Sequence, residues 1–140
     1  MIKRLDIFDS STIVGILGLF EQIRHKTCTG LEYLKYIQSV EESIALFGIF
    51  NEDELVGFAH AQEPNPLDKT VGYIAAASVK PSTRSSDARG LLRMAERWLS
   101  DLGATEVRIE TERSPRAFKR RFGFRSQTGK ITLVKDIENE

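Results

Sequence analysis

Apolar residues recur along this chain at two periods, and the switches between them set the order of its elements. A short first strand is predicted over Ile2–Ile7. Asp9 with Ser10 or Ser11 then offers a helix cap, and Ile13, Ile16, Leu17, Phe20 and Ile23 follow at helical spacing. Thr27 to Gly30 interrupts the pattern. Leu31, Leu34, Ile37 and Val40 predict a second helix, with Tyr33 and Tyr36 on a neighbouring stripe. Ile44–Phe50 and Glu54–Ala61 read as strands joined by the polar Asn51-Glu52-Asp53, a hairpin turn that makes them antiparallel neighbours. Glu63–Lys69 carries Pro64 and Pro66, which lack the backbone donor a ladder needs, and is predicted as a loop. A strand of small, nearly uncharged residues follows from Thr70 to Val79.

Between Ser86 and Leu102 the residues Leu91, Leu92, Ala95, Trp98, Leu99 and Leu102 form a wide apolar stripe, and Gly103 supplies a stop. Strict alternation returns from Glu106 to Glu112, with Val107, Ile109 and Thr111 on one face and Glu106, Arg108, Glu110 and Glu112 on the other. The charged face meets water or a cleft. Ser114 and Pro115 begin a short helix to Arg121, Phe122-Gly123-Phe124 turns the chain, and Arg125–Ile137 is strand-like with a turn at Thr128-Gly129. Strand, helix and strand between Thr70 and Glu112 make a βαβ unit, for which a parallel pair is the standard solution. The class is α/β, a single mixed sheet of about six to seven strands flanked by helices.

Composition narrows the picture without changing it. The 140 residues, 41% of them hydrophobic, suffice for one covered core, so residues 1–140 are expected to form a single domain. Twenty Lys and Arg balance twenty Asp and Glu, which removes any general attraction to nucleic acid or an acidic membrane. Cys28 is the only cysteine and no Cys/His spacing suggests a metal. A reducing cytoplasm is the expected location, because the charged start lacks a secretory apolar stretch and no run reaches the ~20 apolar residues of a membrane span.

Val79-Lys80-Pro81 through Phe124 resembles the acyl-CoA-binding half of the GNAT superfamily of N-acetyltransferases. That family has a strand ending in Val-x-Pro, a loop Arg/Gln-x-x-Gly-x-Gly/Ala, a helix, a strand, and a short helix ending in Gly-Phe. Leu91–Trp98, Gly103-Ala104, Val107–Thr111, Phe118 and Gly123-Phe124 follow the pattern, and Ile44–Ala61, including Gly57, is similar to the family's second and third strands. The resemblance implies a GNAT-like acyl-CoA N-acyltransferase fold and transfer of an acetyl group from acetyl-CoA to an amine, without a metal. It implies a pyrophosphate at Arg84, Ser85, Ser86, Asp87, Ala88, Arg89 and Gly90, and a pantetheine arm paired with backbone at Ser78 and Val79. The acceptor would be an amine-bearing small molecule or protein, its wall the first two helices. Dimers are common in the family.

The chain departs from the family at the loop, at the tyrosine, and after the penultimate strand, where Glu112-Arg113-Ser114 stands in place of a frequent asparagine. Ser, Ala and Gly90 stand in place of the loop glycines, with Asp87 where phosphate oxygens are expected unless its carboxylate caps the helix; Arg84 and Arg89 can offset its charge. Lys119 stands in place of the tyrosine proposed to protonate the departing thiolate, and serves as an acid, as a CoA phosphate contact, or as part of a solvated basic face with Arg116, Arg120 and Arg121. For the base, Glu110 is the candidate against a plain solvated strand face. His60 and Tyr73, on adjacent strands, can each border the acceptor cleft; the plainer readings are a half-buried strand histidine for His60 and a core aromatic for Tyr73. Cys28 receives no role. Because the loop and the tyrosine are the marks most tied to the chemistry, the alternative is a catalytically weak or inactive GNAT-fold protein that binds acyl-CoA or a protein partner. A nucleic-acid module using Arg113–Arg125 has only a local patch behind it.

Overall fold

In the computed structural model, residues 1–23 and 26–109 are described. The helix expected after Ser114, the Gly123-Phe124 turn and the last strand lie outside them, as do the candidate catalytic residues Glu110 and Lys119.

The elements run β1 (Ile2–Arg4), α1 (Ser10–Phe20), α2 (Gly30–Ser39), a single 3-10 turn (Glu41–Ser43), β2 (Ile44–Asn51), β3 (Glu54–Gln62), β4 (Val71–Val79), α3 (Ser85–Asp101) and β5 (Glu106–Ile109). The five strands form one sheet in chain order. β1 to β4 pair antiparallel, and β5 joins β4 parallel, as the intervening helix requires. The mixed α/β class expected from the sequence is therefore present, with five strands among the described residues.

β1 ends three residues earlier than its alternation suggests. Asp6 turns the chain, accepting from the Phe8 N–H at 2.9 Å, while Leu5 and Ile7 drop into the core. Asp9 caps α1, its carboxylate accepting from the Thr12 N–H at 3.2 Å. The Ser11 hydroxyl, which donates to the same carboxylate at 2.6 Å, together with that backbone bond holds the Asp9 carboxyl below its usual range. α2 starts on a reciprocal cap that the sequence reading did not single out. Thr29 Oγ1 accepts from the Glu32 N–H and Glu32 Oε1 from the Thr29 N–H, both at 3.1 Å. Thr29→Ala removes one half of it and should cost about 1 kcal/mol, read as a lower urea midpoint at unchanged slope.

Side chains on alternate strand positions point to opposite faces, which sorts the core into two layers. Leu46, Leu55 and Phe58 pack with Ile16, Leu19 and Phe20 of α1 and with Tyr33, Leu34 and Ile37 of α2. The other face takes α3, whose Leu91, Ala95 and Leu99 are buried. Gly72 is a glycine for this reason, since a Cβ there would stand 2.8 Å from Leu99 Cδ2. Gly15 serves the first layer in the same way, leaving room for Leu55, whose Cβ would be 2.7 Å from an added one. Gly103, at φ 102°, ends α3 in the left-handed region as its position predicts.

Candidate functional site

β4 is the strand on which the site is built. Against β3 it carries one extra residue: His60 faces Ala76 and Ala61 faces Ile74, which leaves Ala75 unmatched. An insertion of this kind bends the strand and re-aims its side chains. On the other edge, among the described residues, β4 has partners only from Val71 to Ile74, in Glu106–Ile109 of β5. From Ala75 to Val79 alternate backbone N–H and C=O groups on that edge therefore have no strand beside them among the described residues. Ala75 and Ala77 are exposed, and Ala76, Ser78 and Val79 are half-buried.

Beyond Val79 the chain turns tightly. The Lys80 N–H donates to Val56 O at 2.8 Å, the Thr83 N–H donates to Lys80 O at 2.9 Å, and the Lys80 ammonium pairs with Glu54. Arg84 is the N-cap of α3, with extended backbone (φ −66°, ψ 141°) and no side-chain cap bond. The amides of Asp87 and Ala88 both donate to Arg84 O at 3.1 Å, whereas those of Ser85 and Ser86 have no acceptor among the described residues. Arg84, Ser85, Ser86 and Arg89 are exposed. Two such donors at the positive end of a 17-residue helix, with an exposed arginine as the cap residue, suit an anion. One residue earlier, Thr83 Oγ1 is buried with no partner among the described residues.

Asp87 does not cap α3. It is half-buried in the first turn, where the helix dipole favours a negative charge. Gly90 lies inside the helix, where a Cβ would meet Ile2 Cδ1 at 2.7 Å, so its small size serves the packing of α3 on β1. Ala88 is half-buried in the same turn. Of the sequence candidates, then, Ser78, Val79, Arg84, Ser85 and Ser86 lie on one continuous path from strand end to helix start.

The opposite face of the sheet, the one that carries α1 and α2, holds the other candidates. Tyr73 is 39% exposed and not a core aromatic, because Gly72 takes the α3 face and turns Tyr73 away from it. Its register partner in β5 is Arg108, whose Nη2 donates to Glu106 Oε2 at 2.9 Å. That bond holds the guanidinium above its ordinary pKa. Leu31 and Tyr36 of α2 are exposed, as an acceptor wall would require, but Tyr33 is buried.

His60 departs further from expectation. It is 1% exposed, flanked across the sheet by Leu46 and Ala76, and its Nδ1 lies 2.9 Å from the Tyr33 hydroxyl. Burial pushes the imidazole down to about 4 and the Tyr33 phenol up, so both are neutral near pH 7. Nε2 has no partner among the described residues. The sequence reading missed this pair. Period-two alternation with Phe58 was the one signal that His60 belongs to the buried face, and nothing local links it to Tyr33. Cys28 is half-buried and forms no disulfide. No helix among the described residues is long and apolar enough to cross a membrane, and none of their His, Cys, Asp and Glu cluster as metal ligands.

Several solved acetyltransferases share this fold. An apo aminoglycoside antibiotic 6'-N-acetyltransferase from Acinetobacter haemolyticus aligns with a TM-score of 0.75 at 19% identity, covering 99% of each chain. An aminoglycoside N-acetyltransferase in complex with CoA gives 0.74 at 21% identity over 98% of this chain and 95% of its own. Glucosamine-6-phosphate N-acetyltransferase from Arabidopsis thaliana gives 0.69 at 15% identity over 97% and 98%. At these identities the likeness is one of fold. A search of curated protein sequences returns no significant match. The model of the "Acetyltransferase (GNAT) family" matches residues 8–124, from the start of α1 past the whole βαβ unit. With most of its length inside that match, the chain belongs to the GNAT family of acetyltransferases.

Proposed function

We propose that this chain, as one domain over residues 1–140, moves an acetyl group from acetyl-CoA directly to the amine of a small molecule or protein. The observation that carries the reading is the single path from the edge of β4 that has no strand partner among the described residues to the start of α3, which has no side-chain cap. A pantetheine arm lies along Ala75–Val79 as an added strand would, bonding to backbone near Ser78 and Val79. A pyrophosphate sits on the Ser85 and Ser86 amides with Arg84 beside it, and the buried Thr83 hydroxyl is within the same turn. Asp87 disfavours phosphate at close range, which Arg84 and Arg89 offset.

In the transfer, a C–N bond forms as the C–S bond breaks. The amine gives up a proton, for which Glu110 is the proposed base, and the thiolate gains one, for which Lys119 is the proposed acid unless it contacts a phosphate. The wall of the acceptor site is α1 and α2, with Leu31 and Tyr36 exposed on it. Amino sugars are the first acceptors to screen, because the structural neighbours include enzymes named for aminoglycosides and glucosamine 6-phosphate. The cytoplasm is the proposed location and a homodimer the proposed assembly.

Calorimetric titration with acetyl-CoA is the test. Micromolar binding is expected, weakened with dephospho-CoA and lowered about tenfold or more by Arg84→Glu, the worth of one charge-assisted contact. An absence of binding at millimolar ligand would overturn the cofactor assignment. It would favour the second reading, an inactive GNAT-fold interaction protein, whose motivation is the loop's lack of the family glycines and Lys119 in place of the tyrosine.

A further inference from the structure

The buried Tyr33–His60 pair leaves one polar atom unaccounted for, and hydrogen counting says which kind of atom it is. Two arrangements fit the 2.9 Å contact between the Tyr33 hydroxyl and His60 Nδ1. If Nδ1–H donates to the tyrosine oxygen, the Tyr33 O–H and the Nε2 lone pair both need partners, and the described residues supply neither. If the Tyr33 O–H donates to Nδ1, the proton sits on Nε2 and only that N–H is orphaned. Leaving a buried polar group unmade is costly, so the arrangement with one orphan wins over the arrangement with two. The neutral ring this requires agrees with burial holding its pKa near 4.

The orphan stands at a place with a purpose for it. His60 lies on the face that carries α1 and α2, beside Ala76, the first residue after the bulge of β4. Its cross-strand partner on β2 is the buried Leu46, and its partner on β4 is the much smaller Ala76. Tyr33 stacks on Phe20 of α1 with ring centroids 4.7 Å apart, so the tautomer is fixed by a residue held between both helices and the sheet. A buried donor with a fixed proton is a device for recognising an oxygen.

We infer that His60 Nε2–H is a neutral hydrogen-bond donor for an oxygen next to Ala76, brought either by the acceptor substrate or by an ordered water that holds it. His60 then acts as a positioning residue and not as the base. In its substrate form the inference rests on the acetyltransferase reading; in its water form it does not.

Two measurements test it. In protein carrying 15N-labelled histidine, the His60 ring at pH 7 is expected to show a protonated Nε2 and a bare Nδ1, with an Nε2–H proton shifted downfield by a hydrogen bond. Tyr33→Phe should release that preference. The inference is overturned if Nδ1 carries the proton, or if Nε2–H shows no hydrogen bond both in the free protein and with acetyl-CoA and kanamycin present.

Kinetics with kanamycin at saturating acetyl-CoA distinguish the two sources of oxygen. His60→Leu should raise KM for the acceptor about tenfold, with kcat and the calorimetric Kd for acetyl-CoA nearly unchanged, if the oxygen belongs to the substrate. His60→Gln, which keeps an N–H near that place, should restore most of the loss. An unchanged KM beside a hydrogen-bonded Nε2–H in free protein assigns the oxygen to water. A folded His60→Leu variant that loses acetyl-CoA binding and acceptor binding equally marks a merely structural residue and overturns the inference. Should no acceptor be acetylated while the ring spectrum is as expected, the transferase reading fails and the donor stands.

Discussion

Phe58→Ala should be the most damaging single truncation among the described residues, costing about 3–5 kcal/mol. Phe58 is the largest side chain with no solvent exposure, and it sits at the centre of the layer between the sheet and the first two helices. Its ring lies 6.3 Å from that of Tyr33, and its strand partners are Gly48 and Ser78. A cavity there cannot collapse easily, because Gly48 has no side chain to give and Tyr33 is tied to His60. Against a typical stability of about 5–15 kcal/mol, the loss takes much of the margin, and Tm should fall by about 10–20 °C. A cost below about 1 kcal/mol, measured by urea unfolding, would mean that this layer is loosely packed and that the assignment of α1 and α2 to it is wrong.

The second large effect is on acid stability. The folded His60 ring titrates near 4 and the unfolded one near 6.5, so the unfolded chain binds the proton more readily at every pH between them. Above pH 6.5 both forms are neutral and nothing is lost. As pH falls from 6.5 to 4, unfolding should become easier by roughly 3 kcal/mol, and the loss is complete below 4. Other groups act in distinguishable ways. The lowered carboxyls of Asp9 and Glu32 give stability that is lost only below the ordinary carboxylate range, while Glu96, raised by burial, gains as pH falls. His60→Leu should therefore flatten the slope of unfolding free energy between pH 6.5 and 4 whatever it does to the absolute value. An identical slope in that variant would show that His60 is not buried as a neutral ring.

The site was legible in the sequence to the extent that it is made of consecutive residues. Ser78, Val79, Arg84, Ser85 and Ser86 needed only a strand, a turn and a helix start in that order, and local periodicity supplies all three. The glycines were less legible. Gly90 falls at a motif position, yet its neighbour is Ile2, at the far end of the chain in sequence, and only packing shows that the absence of a side chain serves β1. The plainer readings of Tyr73 and His60 failed in opposite directions, a core aromatic proving exposed and a half-buried histidine fully buried. Composition gives an aromatic the greater claim on a core, but which face a strand residue occupies follows from register, and register is set by neighbours on other strands. Ala75, through which the bulge shifts that register, looks in the sequence like any other small residue.

What the sequence by itself determined are the properties carried within one turn or one strand. These are the order of helices and strands, the cap at Asp9, the stop at Gly103, and the βαβ unit whose pattern matches the GNAT family. The tertiary structure alone decided which atoms are left without partners. Among the described residues β4 has β5 beside it only as far as Ile74, and Tyr33, 27 residues away in the chain, takes Nδ1 of His60 while Nε2 has no partner. Hydrogen-bond satisfaction is a property of a closed surrounding, and a surrounding assembled from distant segments has no local sequence signature.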